Sequence, residues 1–152
     1  MKVDTLEHLI HWSSAVHQHL AEQLDTAAQR ADDGLAKLFV EYTVTHERKL
    51  ATQVAGVVGE SDAKALQTWV YEWLEQPPKA PEAIVRVGSH EVDLDALGHI
   101  VFSAHNEIIT LFHQLQTRAA TPEVEELIAR MVDIEEGHTR QMAQQLNRTR
   151  DM

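Results

Sequence analysis

The chain has no cysteine. Disulfides, thiolate-held zinc and iron–sulfur clusters are therefore excluded, and any metal must be held by oxygen and nitrogen. Positive charge is scarce: 13 Lys and Arg stand against 24 Asp and Glu, a formal net charge of −11. That balance argues against nucleic acid and against an anionic membrane surface as partners. No apolar run approaches the roughly 20 residues of a membrane span. The opening Met1-Lys2-Val3-Asp4-Thr5 lacks the apolar centre of a secretory signal, so a soluble cytoplasmic protein is expected. A Gly-rich phosphate loop, a Ser/His/Asp arrangement and a basic aromatic patch are all missing. What the sequence does have is histidine, ten in 152 residues. That length predicts a single domain, residues 1–152, with a real core.

Four long stretches carry apolar residues at a 3.6-residue period and predict helices. The first runs from about Asp4 to Ala31, with Leu6, Leu9, Ile10, Ser13, Val16, His17, Leu20 and Leu24 on one face. Asp32-Asp33-Gly34 supplies a turn and an N-cap. The second runs from Asp33 to about Val58, its stripe including Phe39, Tyr42, Thr43, His46, Leu50 and Val54, with Gly59 as its stop. The third runs from about Asp93 to Ala120, and Thr121-Pro122-Glu123 reads as cap, N1 proline and first-turn acid of the fourth. Between the second and third, Ser61 or Asp62 caps a short helix to about Gln76 with Leu66, Trp69, Val70, Trp73 and Leu74 inward. Pro77-Pro78-Lys79-Ala80-Pro81 stops it as a stiff linker, and residues 84–88 read as a short extended piece. Tight connections join helices one to two and three to four, and a long one joins two to three. The expected fold is all-α: two antiparallel helix pairs joined by one crossover.

The fourth helix carries the clearest chemistry. Its stripe, Val124, Leu127, Ile128, Met131, Ile134, Met142, Leu146, also contains Glu135 and His138. Carboxylate and imidazole one turn apart on an apolar face are costly to bury unless paired or metal-bound. The two helix pairs also align with each other. His46–Val54 lies over His138–Leu146, which sets Thr43 over Glu135, and Val16-His17-Gln18-His19 lies over Ala104-His105-Asn106-Glu107.

Glu135-x-x-His138 on one helix, Glu107 on the preceding one, and the crossover topology together resemble the ferritin-like superfamily, in particular its rubrerythrin and bacterioferritin branches. The resemblance spans the four long helices. It implies a four-helix bundle in which each pair supplies a Glu and a Glu-x-x-His to two metal ions. The first pair departs from that pattern: His46 matches, Thr43 stands at the Glu position, and helix one offers His17 instead of Glu. The resemblance therefore implies one or two divalent ions, iron first and manganese or zinc as alternatives, held among Glu107, Glu135, His138, His46 and His17. If redox-active, such a centre implies a non-haem iron oxidoreductase reacting with oxygen or peroxide.

Plainer readings stand beside each candidate. Glu135 and His138 also read as a buried hydrogen-bonded pair, and Glu107 as a carboxylate paired to His17 or His46. His17 and His46 also read as core histidines satisfied by Tyr42, Thr43 or carbonyls. His105 and His113 read as packing or rim residues, and His8, His11, His19, His90 and His99 as solvent-facing. The rival function is a metal-free bundle serving as a dimerisation or interaction module. A hemerythrin-like oxygen carrier ranks below both, because its paired histidine spacings are absent from helices two and three. A homodimer is expected, with Trp69 and Trp73 near the interface.

Overall fold

The structure, a computed structural model, describes residues 2–31, 33–87 and 93–152. It is all-α, with four long helices and two short ones among those residues. They are α1 (Leu6–Ala28), α2 (Gly34–Glu60), α3 (Ala63–Leu66), α4 (Pro81–Ile84), α5 (Leu94–Gln116) and α6 (Pro122–Arg150).

Each long helix begins at a side-chain cap. Thr5, Asp33, Asp93 and Thr121 accept hydrogen bonds from the amides of His8, Leu35, Ala96 and Val124, meeting donors that a helix start leaves unpaired. Gly59 does not stop α2. Ser61 closes it two residues later, its hydroxyl donating to the Val57 carbonyl at 2.6 Å and its amide to that of Val58. With those carbonyls satisfied, no left-handed glycine is needed, and no described glycine has a positive φ.

Side-chain pairings fix the directions. Ser14 donates to the Ala51 carbonyl and His17 meets Glu47, so α1 and α2 are antiparallel. Gln53 meets His138 and Glu60 meets Arg130, so α2 and α6 are antiparallel. Asp95 meets Arg150 and His105 meets Thr139, so α5 and α6 are antiparallel. It follows that α2 and α5 run the same way, and the segment between them must travel the length of the molecule.

That segment departs most from its expected form. The helix expected to reach Gln76 ends at Leu66. Backbone pairing explains the break: the Leu6 amide donates to the Thr68 carbonyl at 2.9 Å, and the Val70 amide donates to that of Asp4 at 2.8 Å. Pinned in this way to the start of α1, the chain leaves the helix, Trp69 bridges Thr5, and only a single 3-10 turn, Tyr71–Trp73, follows Val70. Trp69 is consequently 53% exposed instead of facing inward, while Trp73 is half-buried against the core. Residues 77–80 carry no regular secondary structure, and Pro81, expected to end the stiff linker, instead opens α4 as its N1 proline. Ile84 ends α4 instead of opening a strand, Val85 is extended and buried, and Gly88 lies outside the described residues.

The crossover climbs the groove between α1 and α5. The buried Trp12 indole donates to the Lys79 carbonyl at 2.8 Å, Lys79 reaches Glu107, and the Glu75 amide donates to Gln114. One apolar core, led by Trp12, Phe39, Phe112 and a ladder of leucines, fills the space between the four long helices. Full burial of each such side chain contributes about 1.5–3 kcal/mol. No helix among the described residues is long and apolar enough to cross a membrane.

Candidate metal centre

Four charged or titratable side chains, one from each long helix, meet at mid-length of this core. They are His17 of α1, Glu47 of α2, His105 of α5 and Glu135 of α6, and all four have zero exposure. Helical phase places them there. His17 follows Ser13 and precedes Leu20, Glu47 lies between Thr43 and Leu50, His105 lies between Val101 and Ile108, and Glu135 lies between Met131 and Met142.

The contacts form a closed ring. His17 Nε2 lies 2.8 and 2.9 Å from the two oxygens of Glu135, and its Nδ1 lies 2.7 Å from Glu47 Oε2. The other oxygen of Glu47 lies 2.5 Å from His105 Nε2. His105 Nδ1 lies 2.8 Å from Thr139 Oγ1, and the Thr139 hydroxyl donates back to the Glu135 carbonyl at 2.8 Å.

Because the threonine proton is committed to that carbonyl, His105 Nδ1–H is the donor to Thr139. Each of the other three contacts likewise needs one proton between nitrogen and oxygen. The ring thus holds four protons on two imidazoles and two carboxylates, which makes it electrically neutral. This neutrality answers the large cost of burying charge. Among the described residues no buried side-chain polar atom lacks a partner.

The ring's electrostatics follow. Burial alone lowers the pKa of His17, but the charges and hydrogen bonds of Glu135 and Glu47 outweigh it and push His17 up to about 10. Burial alone raises Glu47, but His105 and His17 outweigh it and hold that carboxyl well below the usual range.

Beside the ring, nearer solvent, lies a second group. His46 Nε2 and His138 Nδ1 are 2.7 Å apart, His138 Nε2 is 2.9 Å from Gln53 Oε1, and Tyr42 stacks on His46. Burial, reinforced by the neighbouring His138, holds His46 down to about 4, and burial likewise lowers His138.

Of the five residues expected to share one site, the structure brings only His17 and Glu135 together. His46 and His138 form their own half-buried pair. Glu107 faces away from the centre, its side chain 42% exposed and 3.5 Å from Lys79, so its expected pairing with His17 or His46 does not occur. Thr43 is buried, but its hydroxyl donates to the Phe39 carbonyl of its own helix. His105, expected at the rim, is in the ring. Glu47 was absent from the expected set altogether, although its phase with Thr43, Leu50 and Val54 marks it as inward-facing. His113 is a rim residue, raised in pKa by hydrogen bonds to Gln116 and Glu136. His11 and His99 are exposed, His8 and His19 are half-buried, and His90, like Asp32, lies outside the described residues.

His17, Glu47 and His105 each offer a ligand atom within 4.8 Å of the others, a grouping able to bind a metal ion. Two imidazoles and two carboxylates suit iron, manganese or zinc. Charge also fits: exchanging two of the ring's four protons for a divalent cation leaves the buried charge at zero. Comparison with protein-family models, with curated proteins and with solved structures finds no match to this chain.

Proposed function

We propose that the chain is a ferritin-like four-helix bundle that holds one divalent metal ion in its core on His17, Glu47, His105 and Glu135. The observation that carries this reading is the convergence of two imidazoles and two carboxylates, one from each long helix, at full burial. Iron ranks first, with manganese and zinc as alternatives, and reactivity toward oxygen or peroxide is the activity inferred for iron there. With only two carboxylates, the centre balances one divalent ion and leaves a second uncompensated. This supports a single-ion site over a two-ion one, and iron storage is not proposed.

The rival reading is a metal-free bundle, supported by the ring's complete set of hydrogen bonds without any ion. Metal analysis of protein expressed with iron, manganese and zinc decides between them. One tightly held ion per chain is expected, lost in Glu47→Gln. Added metal should raise the stability of wild type by about 2.7 kcal/mol at one hundred times the dissociation constant. An unshifted melting temperature with no retained ion establishes the metal-free reading.

We also infer a homodimer built on the crossover, where Trp69 and Tyr71 are 53% and 49% exposed, in a cytoplasmic protein. Sedimentation at micromolar concentration tests it, and a monomer in solution sinks it.

A further inference from the structure

A histidine carries its two nitrogens on opposite edges of one ring, so a single ion can take only one of them. His17 has a carboxylate at each edge: Glu47 Oε2 lies 2.7 Å from Nδ1, and the oxygens of Glu135 lie 2.8 and 2.9 Å from Nε2. An ion bound to His17 has one of these carboxylates on its own side and the other behind the ring. The second histidine breaks the tie. His105 Nε2 lies 2.5 Å from Glu47 Oε1, and its ring stands edge-on to that of His17 with centres 5.2 Å apart. The Glu135 side chain meets no side chain but His17 among the hydrogen bonds of the described residues. On the Glu47 side, then, an ion finds three ligand atoms, from His17, Glu47 and His105, all within 4.8 Å of one another. On the Glu135 side it finds two residues.

The protons agree with that choice. Those joining Glu47 to the two histidines are the pair that a divalent ion displaces there. The other two, His17 Nε2–H toward Glu135 and His105 Nδ1–H toward Thr139, stay in place, and the buried charge stays at zero. Metal-bound histidines are oriented in this manner, by an acceptor on the ring nitrogen that does not bind the ion.

We infer, resting on the single-ion reading above, that the ion's protein ligands are His17 Nδ1, Glu47 and His105 Nε2, while Glu135 and Thr139 are positioning residues that hold the two imidazoles by their outer N–H groups. Glu135, the carboxylate of the Glu-x-x-His pattern, thereby acts on the ion only through His17. Two histidines and one carboxylate are a donor set that leaves coordination positions for an exogenous ligand, as in non-haem iron(II) oxygenases. Full burial of all three ligands restricts that ligand to a molecule as small as dioxygen.

The test is a zinc titration of the full chain at near-neutral pH, read by bound-metal analysis and by proton–nitrogen correlation spectra of the imidazole rings. Wild type should hold one ion, with His17 keeping its proton on Nε2 and His105 on Nδ1. Glu135→Gln, whose amide oxygen still accepts from His17, should take one ion with the same tautomers at an affinity about 10–100-fold lower. Glu47→Gln should hold none. Thr139→Val should weaken binding about tenfold or more, and Thr139→Ser, which loses a methyl but keeps the hydroxyl, should restore most of it. The rim variant His113→Gln should change neither readout. The ranking of the variants is read with iron(II) and manganese(II) as well. A loaded protein with His17 protonated on Nδ1, or a Glu135→Gln variant as empty as Glu47→Gln, overturns this division of roles and leaves the single-ion reading standing. Refusal of all three metals by wild type overturns both.

Discussion

The two helix pairs carry the same kinds of residue in opposite order, and that inversion builds the centre. With His46 set over His138, Thr43 lies over Glu135 and Glu47 over Thr139. The α1–α2 pair therefore reads threonine then glutamate, one turn apart, and the α5–α6 pair reads glutamate then threonine. His17 and His105 occupy matching positions on the first helix of each pair. Had both pairs carried glutamate at the same place, two carboxylates would face each other with no threonine to accept from His105. Inverting the order lets His17 sit between both carboxylates, while His105 bridges Glu47 and Thr139. Glu47 alone touches the histidines of both pairs, whereas Glu135 reaches only His17.

Removing Glu47 should consequently have the largest effect of any single change. Glu47→Leu leaves two buried imidazoles without their common partner, and breaking a buried pair in this way costs about 3–5 kcal/mol. Glu135→Leu should cost less, because His105, Glu47 and Thr139 keep their contacts. Urea unfolding of both variants measures the difference. Equal losses would remove the distinction between the bridging and the terminal carboxylate.

The ring also sets how stability follows pH. His17, raised from 6.5 to about 10, contributes stability that is complete below 6.5 and is lost as pH rises toward 10. His46, lowered from 6.5 to about 4, behaves oppositely: its contribution is complete above 6.5 and is lost as pH falls toward 4. Glu47, held below its ordinary 4.5, adds to the acid-side loss, since the unfolded chain takes up its proton first. The melting temperature of metal-free protein should peak near 6.5. His17→Gln should flatten the alkaline limb and leave the acid limb from His46. A wild-type melting temperature that keeps rising to pH 10 would falsify the doubly clasped imidazolium.

Much of this was legible in the sequence, for reasons that differ by element. The four long helices announce themselves through period and caps, and the opposed directions follow from two short connections and one long. His17 and Glu135 were legible because each interrupts an otherwise apolar stripe. Glu47 was obscured by its neighbour: His46 matches His138 in the repeat, and that match drew the reading one residue off the inward phase. Glu107 failed for another reason. Helix α5 is covered twice, by the core along Leu97, Val101, Ala104, His105, Ile108 and Phe112, and by the crossover along Glu107, Leu111 and Gln114. A helix buried on two sides shows a wide apolar face, and period alone cannot say which edge meets the core. The crossover itself was illegible because backbone pairing with Asp4–Leu6, a contact between segments sixty-odd positions apart, overrides a local helical pattern.

The finest comparison is between the two threonines that the inversion exchanges. Thr139→Val should cost about 1–3 kcal/mol, because His105 Nδ1–H loses its acceptor inside the core and a buried unpaired donor bears its full desolvation penalty. Thr43 occupies the corresponding half of the other pair and is fully buried where Thr139 is half-buried, yet its hydroxyl donates only to the Phe39 carbonyl at 2.8 Å. That carbonyl keeps the backbone amide of its own helix, and a threonine bonded back to its own helix slightly disfavours it. Thr43→Val keeps the branched shape and strands no donor, so it should change stability by less than about 0.5 kcal/mol. Paired denaturation curves at one pH read both. A loss at Thr43 as large as that at Thr139 would mean the hydroxyl of Thr43 also serves the ring, and the two halves would then be more alike than their contacts make them.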